Sequence, residues 1–247
     1  MATQIAPPEI ETRGLRKTFA SKPVLDGLDL SVARGESLVV IGGSGAGKSV
    51  LLRTILGLEQ PDGGEVLWRG RPLDVATRPD FFDRFGMLFQ GGALFDSLTI
   101  WQNVAFRLRP RLGDRRARQL AIEKLERVGL VAGVADLHPA DLSGGMLKRA
   151  SLARAIAADP EVIFFDEPTT GLDPLRAARI NRLIRDIVDE TGATAITITH
   201  DMTSVHAIAD RVALLEAGKI AWHGPPADMA GAGVPGLRGF LDPESAQ

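Results

Sequence analysis

Short apolar runs recur along the chain, each bounded by glycine, proline, aspartate or asparagine, and this pattern predicts β-strands. Two of the runs, Leu38–Ile41 and Val162–Phe165, are uninterrupted, which is typical of strands covered on both faces. The predicted strands are Leu28–Val32, Ser37–Ile41, Glu65–Trp68, Gly86–Phe89, Val162–Asp166, Thr194–Thr199 and Val212–Leu215.

Between the strands, apolar residues recur at three- and four-residue intervals, a spacing that predicts helices with one buried face. In Leu175–Asp189 the predicted apolar face consists of Leu175, Ala178, Leu183, Ile184, Ile187 and Val188. Alternating strands and helices predict an α/β domain with a mainly parallel sheet. Residues 91–155 differ because they are mostly helical and rich in arginine, which indicates a helical insertion in the α/β core. The helices predicted there are Gln102–Arg109, Asp114–Val128 and Gly145–Ala158.

The composition is that of a folded protein and excludes several classes. Of the 247 residues, 45% are hydrophobic and 24% are charged, which argues against a disordered, collagen-like or disulfide-stapled protein. The net charge of −2 provides no broad basic surface, so nucleic acid is not an expected partner, although a local basic patch stays open. The absence of cysteine excludes disulfides, thiolate metal sites and a cysteine nucleophile. We find no secretory signal in Met1–Ile10 and no apolar run near the roughly 18 residues of a spanning helix, so work at a membrane would need another chain.

The first motif with recognisable chemistry is a glycine-rich loop, Gly42-Gly43-Ser44-Gly45-Ala46-Gly47-Lys48-Ser49, which fits the pattern G-x-x-x-x-G-K-[ST]. It lies between the predicted strand Ser37–Ile41 and a predicted helix over Val50–Leu58, as a phosphate-binding loop requires. Glycines let backbone N–H groups turn towards phosphate oxygens, and the helix N-terminus adds partial positive charge. We expect Lys48 to reach the β- and γ-phosphates of a nucleotide and the Ser49 hydroxyl to bind Mg²⁺.

Two further segments have chemistry that is weaker when each is taken alone. Asp166 ends an apolar strand in a Walker-B-like arrangement and is expected to hold Mg²⁺ through water. Glu167, which follows it, could polarise an attacking water, whereas a solvated loop carboxylate would be the favoured interpretation if the phosphate loop were missing. In Leu142–Met146 (LSGGM), Ser143 suits the N-cap of a helix whose start could receive an anion, but a capped helix start alone is much commoner.

Together, these segments resemble the ATP-binding-cassette (ABC) ATPases in order and spacing, and the resemblance covers residues 8 to about 225. The motifs that carry it are the phosphate loop Gly42–Ser49, the Q-loop Gln90, the signature Leu142–Met146, Walker B Val162–Asp166, the D-loop Gly171–Asp173 and the switch His200. Gln90, His200 and the upstream Phe19 would each be read as structural without this context. The resemblance implies a P-loop NTPase (RecA-like) fold with an antiparallel β subdomain, an inserted helical subdomain over roughly 91–155, and a tail over 226–247.

The same resemblance implies a mechanism in which two subunits face each other head to tail and close on two ATP molecules with Mg²⁺. Glu167 would be the general base, His200 would contact the γ-phosphate, and Gln90 would sense the nucleotide. The implied nucleotide-binding residues are Phe19, Gly42, Gly43, Ser44, Gly45, Ala46, Gly47, Lys48, Ser49, Val50, Ser143, Gly144, Gly145 and Asp173. The implied Mg²⁺ ligands are Ser49, Gln90 and Asp166.

Three local strings are similar to the ATPases of Mla/MCE-linked lipid transporters: Phe89–Phe106 (FQGGALFDSLTIWQNVAF), His138–Leu152 (HPADLSGGMLKRASL) and Gly236–Leu241 (GLRGFL). Met146 contributes, because most ABC ATPases have glutamine there. The resemblance implies a peripheral location on the cytoplasmic face of a bacterial inner membrane. It also implies a permease whose coupling helix enters a groove formed partly by Gln90–Phe106, an MCE-domain protein and a small STAS-like subunit. The tail would reach the partner subunit through Leu237, Phe240 and Leu241, although a frayed terminus is equally compatible with its sequence.

Three other functions stay open at this point. An importer ATPase for amino acids, metals or another small solute stays open, although Met146 and the Phe89–Phe106 string disfavour it. A regulatory ABC ATPase that gates a cell-wall hydrolase would keep every ATP motif, so its membrane partner alone would distinguish it. A soluble ABC ATPase acting on nucleic acid or ribosomes usually has two cassettes or a long coiled-coil insertion, and this chain has neither. Neither the cargo nor the direction of transport can be inferred from these motifs.

Overall fold

The computed structural model describes residues 6–241, so Met1–Ile5 and the end of the predicted tail, residues 242–247, lie outside the described residues. The strands are β1 (Ile10–Phe19), β2 (Lys22–Val32), β3 (Ser37–Ile41), β4 (Gly63–Trp68), β5 (Arg71–Pro72), β6 (Phe85–Leu88), β7 (Val162–Asp166), β8 (Thr194–Ile198), β9 (Arg211–Glu216) and β10 (Lys219–Gly224).

Among the described residues, the α-helices all follow strand β3 in the chain. They are α1 (Lys48–Ile55), α2 (Arg78–Asp83), α3 (Ile100–Val104), α4 (Arg109–Leu112), α5 (Asp114–Arg127), α6 (Gly144–Ala155), α7 (Pro174–Thr191), α8 (Met202–Ile208) and α9 (Pro235–Leu241). Short 3₁₀ helices occupy Ala132–Asp136, Pro139–Asp141 and Pro226–Asp228. Within residues 6–241, no helix is long and apolar enough to span a bilayer.

One compact unit comprises residues 6–81 and 198–241. It contains an antiparallel sheet of order β2-β1-β4-β5 and a second group of strands of order β10-β9-β3. β3 and β9 are parallel, with Leu38 opposite Arg211 and Ile41 opposite Leu214. Every residue of β3 is buried, as expected for a continuous apolar strand covered on both faces. The antiparallel β subdomain and the parallel core strands both agree with the expected fold class.

The other unit comprises residues 82–197 and contains strands in the order β8-β7-β6 and helices α3 to α7. β6 and β7 are parallel, with Phe85 opposite Val162 and Leu88 opposite Phe165. Helix α5 is strongly polar but buries one narrow stripe at four-residue spacing, as an amphipathic helix does. The stripe consists of Ala117, Ala121 and Leu125.

The strand predictions are confirmed with ends shifted by at most two residues, except that β2 begins six residues before the predicted Leu28, whereas two helix predictions need correction. The predicted helix Gln102–Arg109 is wrong, because α3 ends at Val104 and α4 begins only at Arg109. Pro110 explains the new start, since proline lacks the N–H donor of a helix interior but fits the first turn. In α7, Leu175 is 83% exposed and Ala178 is also exposed, so the fully buried face begins at Ile180.

Candidate functional site

The phosphate loop connects the buried strand β3 to helix α1, and its glycines occupy positions that other residues would strain. Gly45 and Gly47 have positive φ angles of 75° and 103°. A Cβ atom on Gly42 would lie 2.5 Å from the carbonyl oxygen of Leu215, which leaves no room for a side chain. The glycines therefore set the path of the loop into the N-terminus of α1, where backbone N–H groups attract anions.

Lys48 opens helix α1, and its ammonium group lies over the loop. The Nζ atom donates hydrogen bonds to the carbonyl oxygens of Gly42, at 2.6 Å, and Gly43, at 3.1 Å. The positive charge is therefore held beside the backbone that would surround a phosphate. This placement fits a lysine that neutralises phosphate oxygens through charge-assisted hydrogen bonds.

The same unit places the switch histidine next to the end of strand β3. The backbone N–H of Thr199 donates a hydrogen bond of 3.3 Å to the carbonyl oxygen of Val40, so the chain runs alongside β3 just before His200. After His200, Asp201 caps helix α8. Partial burial alone would raise the pKa of Asp201, but hydrogen bonds from Ser204 and Thr203 outweigh it and hold the pKa below its usual value.

Phe19, the expected adenine-stacking residue, lies at the end of β1 in that unit. Phe19 is 41% exposed, and the Lys17 ammonium lies 5.2 Å from the centroid of its ring. An exposed aromatic face beside a cation suits stacking on a planar base that carries phosphates.

In the unit of residues 82–197, strand β7 carries the Walker-B residues. Asp166 is half-buried at the end of a strand whose other residues are fully buried. Glu167 follows with a φ angle of 48°, in the left-handed region that a non-glycine residue rarely adopts. Its carboxylate accepts a hydrogen bond of 3.0 Å from the Thr170 hydroxyl. An oriented carboxylate on a strained backbone is a feature that clusters at active sites.

Ser143 caps helix α6, as predicted, and its hydroxyl oxygen accepts a hydrogen bond of 3.4 Å from the backbone N–H of Met146. A surface depression of about 260 Å³ opens beside this helix start. It is lined by Ser143, Gly145, Met146, Arg149, Arg176, Arg179 and Ile180. Burial and the neighbouring charge of Arg179 lower the pKa of Arg149, which indicates that positive charges are concentrated here. The depression therefore suits an anionic ligand.

Asp173 of the D-loop is the N-cap of helix α7. Its carboxylate accepts a hydrogen bond of 2.9 Å from the backbone N–H of Arg176 and forms an ion pair of 3.2 Å with the Arg176 guanidinium. Capping of α7 is sufficient to explain an aspartate at this position. Its carboxylate is half-exposed, so it could also contact another molecule.

One residue that sequence reasoning missed lies among these site residues. The Lys148 ammonium donates hydrogen bonds to the backbone carbonyl oxygens of Gln90 and Glu167, which belong to two of the predicted motifs. The sequence contains a signal for it, because Lys148 lies on the same face of α6 as the buried Leu152 and Ala155. A charged residue at an apolar helix position usually requires a partner.

An apolar groove of about 290 Å³ lies in the same unit, next to the Q-loop. Three of the phenylalanines that line it are substantially exposed, namely Phe89, Phe95 and Phe106. The rings of Phe95 and Phe106 lie 4.8 Å apart. Exposed aromatic side chains concentrated in one groove are typical of a protein–protein contact.

The donor atoms expected for Mg²⁺ are a hydroxyl, an amide and a carboxylate, from Ser49, Gln90 and Asp166. Oxygen donors with few charges suit Mg²⁺, which keeps several of its waters. No group of three or more His, Cys, Asp or Glu residues in the described part of the chain could hold a metal.

Comparison with known proteins places these features in one family. A family model described as "ABC transporter" matches residues 25–170. The chain is 28% identical to a dimeric structure of a bacterial ABC transporter cassette, with a TM-score of 0.80 over 88% of this chain and 98% of that one.

Three curated relatives cover most of the chain. The probable ribonucleotide transport ATP-binding protein mkl of Mycobacterium leprae is 37% identical, over 94% of this chain and 68% of its own length. The intermembrane phospholipid transport system ATP-binding protein MlaF of Escherichia coli is 38% identical, over 94% of this chain and 88% of its own length. The methionine import ATP-binding protein MetN of Mesorhizobium japonicum is 43% identical, over 85% of this chain and 59% of its own length. The chain thus spans about two thirds of the mycobacterial relative and less of the methionine relative.

Proposed function

Because this chain belongs to the ABC transporter family and is an ATPase of that family, we propose that it is the motor subunit of a membrane transporter for phospholipid or another lipid. The observation that carries the proposal is the similarity to the phospholipid transport protein of E. coli. That similarity extends over 94% of this chain and 88% of the relative, so it covers nearly the full length of both. The three local strings that predict a lipid-transport ATPase agree with it.

The proposed ATPase domain spans residues 8–225, with roughly 91–155 as its helical subdomain and 226–247 as its tail. The phosphate loop would bind the phosphates of ATP through its N–H groups and Lys48, and Phe19 would stack on the adenine. Mg²⁺, held by Ser49, Gln90 and Asp166, would neutralise charge on the phosphates.

Hydrolysis in this scheme is carried out by groups that this chain supplies. Glu167 orients and activates the attacking water as general base, while His200 contacts the γ-phosphate. The hydrogen bond from Thr170 restricts the directions in which the Glu167 carboxylate can point. This restriction supports a catalytic role over that of a freely solvated loop acid.

Two copies would complete each site by meeting head to tail. The Arg-rich depression at Ser143 would receive the γ-phosphate held by the phosphate loop of the other copy, and Asp173 would line the contact. Support comes from the position of Ser143 at the N-terminus of α6, where an anion is favoured. The dimeric state of the similar cassette structure also supports this arrangement.

The partner at the membrane would be a permease whose coupling helix fits the groove lined by Phe89, Phe95 and Phe106. The chain would then lie peripherally on the cytoplasmic face of the bacterial inner membrane. An MCE-domain protein and a small STAS-like subunit complete the proposed assembly. The tail is proposed to reach the partner copy. In the described part of the tail, Leu237 is 1% exposed whereas Leu241 is 39% exposed.

The methionine import relative favours a second candidate, an importer of small solutes. It is more similar in percentage identity but shares a shorter segment with this chain. A regulatory ATPase that gates a cell-wall hydrolase would carry the same ATP motifs and differ in its membrane partner.

Gentle solubilisation of host membranes, followed by capture of the tagged chain and mass spectrometry of proteins and lipids, tests the proposal. We expect a multi-spanning permease, an MCE-domain protein and bound phospholipid. A permease that arrives with a solute-binding protein, or with a hydrolase regulator, would contradict lipid transport and leave the ATPase assignment intact.

A further inference from the structure

Lys148 is a buried cation in helix α6, which begins within the signature Leu142–Met146 and is called the signature helix below. The residue is 7% exposed, and its neighbours on the same helix face, Ser151, Leu152 and Ala155, are 0 to 5% exposed. Burial lowers the pKa of its ammonium group, while the carboxylates of Asp166 and Glu167 oppose this shift. Burying a charged group is unfavourable unless nearby groups compensate it, so the atoms around Lys148 identify what the charge stabilises.

Those atoms belong to two separate segments of the proposed site. The ammonium donates a hydrogen bond to the backbone carbonyl oxygen of Gln90 and another, of 3.4 Å, to that of Glu167. Gln90 follows strand β6 and Glu167 follows strand β7, so a single side chain of α6 joins the ends of two adjacent parallel strands.

The contact with Glu167 falls where the backbone is least favourable. A φ angle of 48° lies in the left-handed region, which is unfavourable for a non-glycine residue and persists only when its surroundings hold it. The Lys148 hydrogen bond fixes the carbonyl of this residue, and the Thr170 hydroxyl fixes its carboxylate. Backbone and side chain of Glu167 are thus each restrained by a named contact.

A second cation of α6 restrains the segment after Gln90. The guanidinium of Arg154 donates hydrogen bonds to the carbonyl oxygens of Gly92, at 2.8 Å, and Ala93, at 2.6 Å. Arg154 therefore accounts for the path of the Q-loop beyond Gln90. Lys148, in contrast, donates hydrogen bonds to both Gln90 and Glu167 and so connects the Q-loop to the residue after strand β7.

We propose that Lys148 is a positioning residue for ATP hydrolysis, which holds the Glu167 backbone in its left-handed conformation and fixes it relative to Gln90 and the signature helix. The inference rests on the proposed roles of Gln90 and Glu167. Lys148 acts through these residues and leaves the phosphate loop to bind ATP. Loss of its charge therefore slows turnover without weakening nucleotide affinity.

The test compares Lys148→Met, Lys148→Arg and Lys124→Met in the full chain. Lys124 is a matched control, because its side chain is also mostly buried, at 11% exposure, lies in the same unit and pairs with Asp159. We expect Lys148→Met to lower kcat about tenfold or more, because small displacements of a catalytic group cost that much. Its ATP affinity, measured by nucleotide titration, should stay within about twofold, and Lys148→Arg, which retains the charge, should recover most of the turnover.

Two results would overturn the inference. One is a Lys148→Met variant with normal kcat. The other is a Lys124→Met variant that loses as much kcat as Lys148→Met when both have the same reduction in Tm. The loss of kcat in Lys148→Met would then reflect reduced stability alone. If Lys148→Met does not fold, Lys148→Gln replaces it with the same expected split between kcat and affinity. Glu167→Gln is measured in parallel. If Glu167→Gln retains turnover, the proposed general base is refuted. If Glu167→Gln loses turnover while Lys148→Met keeps normal turnover, only the role of Lys148 is refuted.

Discussion

The Thr170 hydroxyl donates a hydrogen bond of 3.0 Å to the Oε2 atom of Glu167, three residues before it in the chain. This contact orients the carboxylate that we propose as the general base for an attacking water. General-base catalysis depends on such orientation as well as on pKa.

Replacing Thr170 with valine should therefore reduce turnover and leave ATP binding unchanged. Valine has a similar shape but lacks the hydroxyl, so the Glu167 carboxylate gains rotational freedom. We expect kcat to fall about threefold to tenfold, which corresponds to the roughly 0.5–1.5 kcal/mol that a hydrogen bond contributes. Thr170→Ser keeps the donor and should retain most activity in a steady-state ATPase assay. Equal activity of Thr170→Val and the original protein would show that the contact has no catalytic role.

Lys48→Ala should weaken ATP binding itself. The ammonium lies over the phosphate loop, 2.6 Å from the Gly42 carbonyl oxygen, and its removal takes away the charge that phosphates would meet. We expect affinity to fall about tenfold or more, equivalent to at least 1.4 kcal/mol. Lys219→Ala is the control, since Lys219 forms a surface ion pair with Asp26 in the same unit. Unchanged affinity in a titration of Lys48→Ala would contradict the proposed role.

Ser143→Arg tests the proposal that the signature of one copy completes the site of the other. The substitution places a long side chain at the start of α6, in the depression that would receive the γ-phosphate. In a Glu167→Gln background, where hydrolysis is blocked, ATP should shift the particle mass from 26.4 kDa towards twice that value in light scattering. The added Ser143→Arg should prevent the shift. An unchanged ATP-dependent dimer in the double variant would argue against a shared site.

Asp201 should contribute stability that depends on pH. Its carboxylate accepts hydrogen bonds from the backbone N–H groups of Thr203 and Ser204 and from the Ser204 hydroxyl, and these lower its pKa. A depressed pKa in the folded state means that the contribution is present above the unfolded value of about 3.9 and is lost as pH falls through the folded value.

Asp201→Ala should accordingly lower the free energy of unfolding by about 1 kcal/mol at pH 7, as for other helix N-caps. The difference from the original protein should narrow as the pH is lowered below about 4, because protonation then weakens the cap in the original protein whereas the variant has no carboxylate to protonate. Urea unfolding at both pH values measures this. A difference that stays constant down to acidic pH would mean that ionisation of Asp201 does not contribute.

The sequence predicted the core strands well because their signal is local. Val162–Asp166 and Ser37–Ile41 are uninterrupted apolar runs that end in turn residues, and both have the predicted bounds. Strand β1 was missed because arginine, lysine and threonine interrupt its apolar positions. Its partners, β2 and β4, supply the pairing that its own sequence does not signal.

The motifs of the candidate site were also predictable, since loops such as Gly42–Ser49 need particular residues at fixed spacing. What could not be predicted are contacts across the chain. The hydrogen bond from Lys148 to Gln90 joins residues 58 positions apart, and no local pattern specifies it. The exposure of Leu175 could not be predicted either. Helical periodicity indicates which residues share a face, but it does not indicate how far a neighbouring element covers that face.

The most direct test of the central claim is lipid movement by the assembly that co-purifies with this chain. That assembly is reconstituted into liposomes containing fluorescent phospholipid, once with the original chain and once with Glu167→Gln. We expect ATP-dependent movement of phospholipid with the original chain and none with the variant. ATP hydrolysis that is stimulated by a small solute, without any movement of phospholipid, would contradict it.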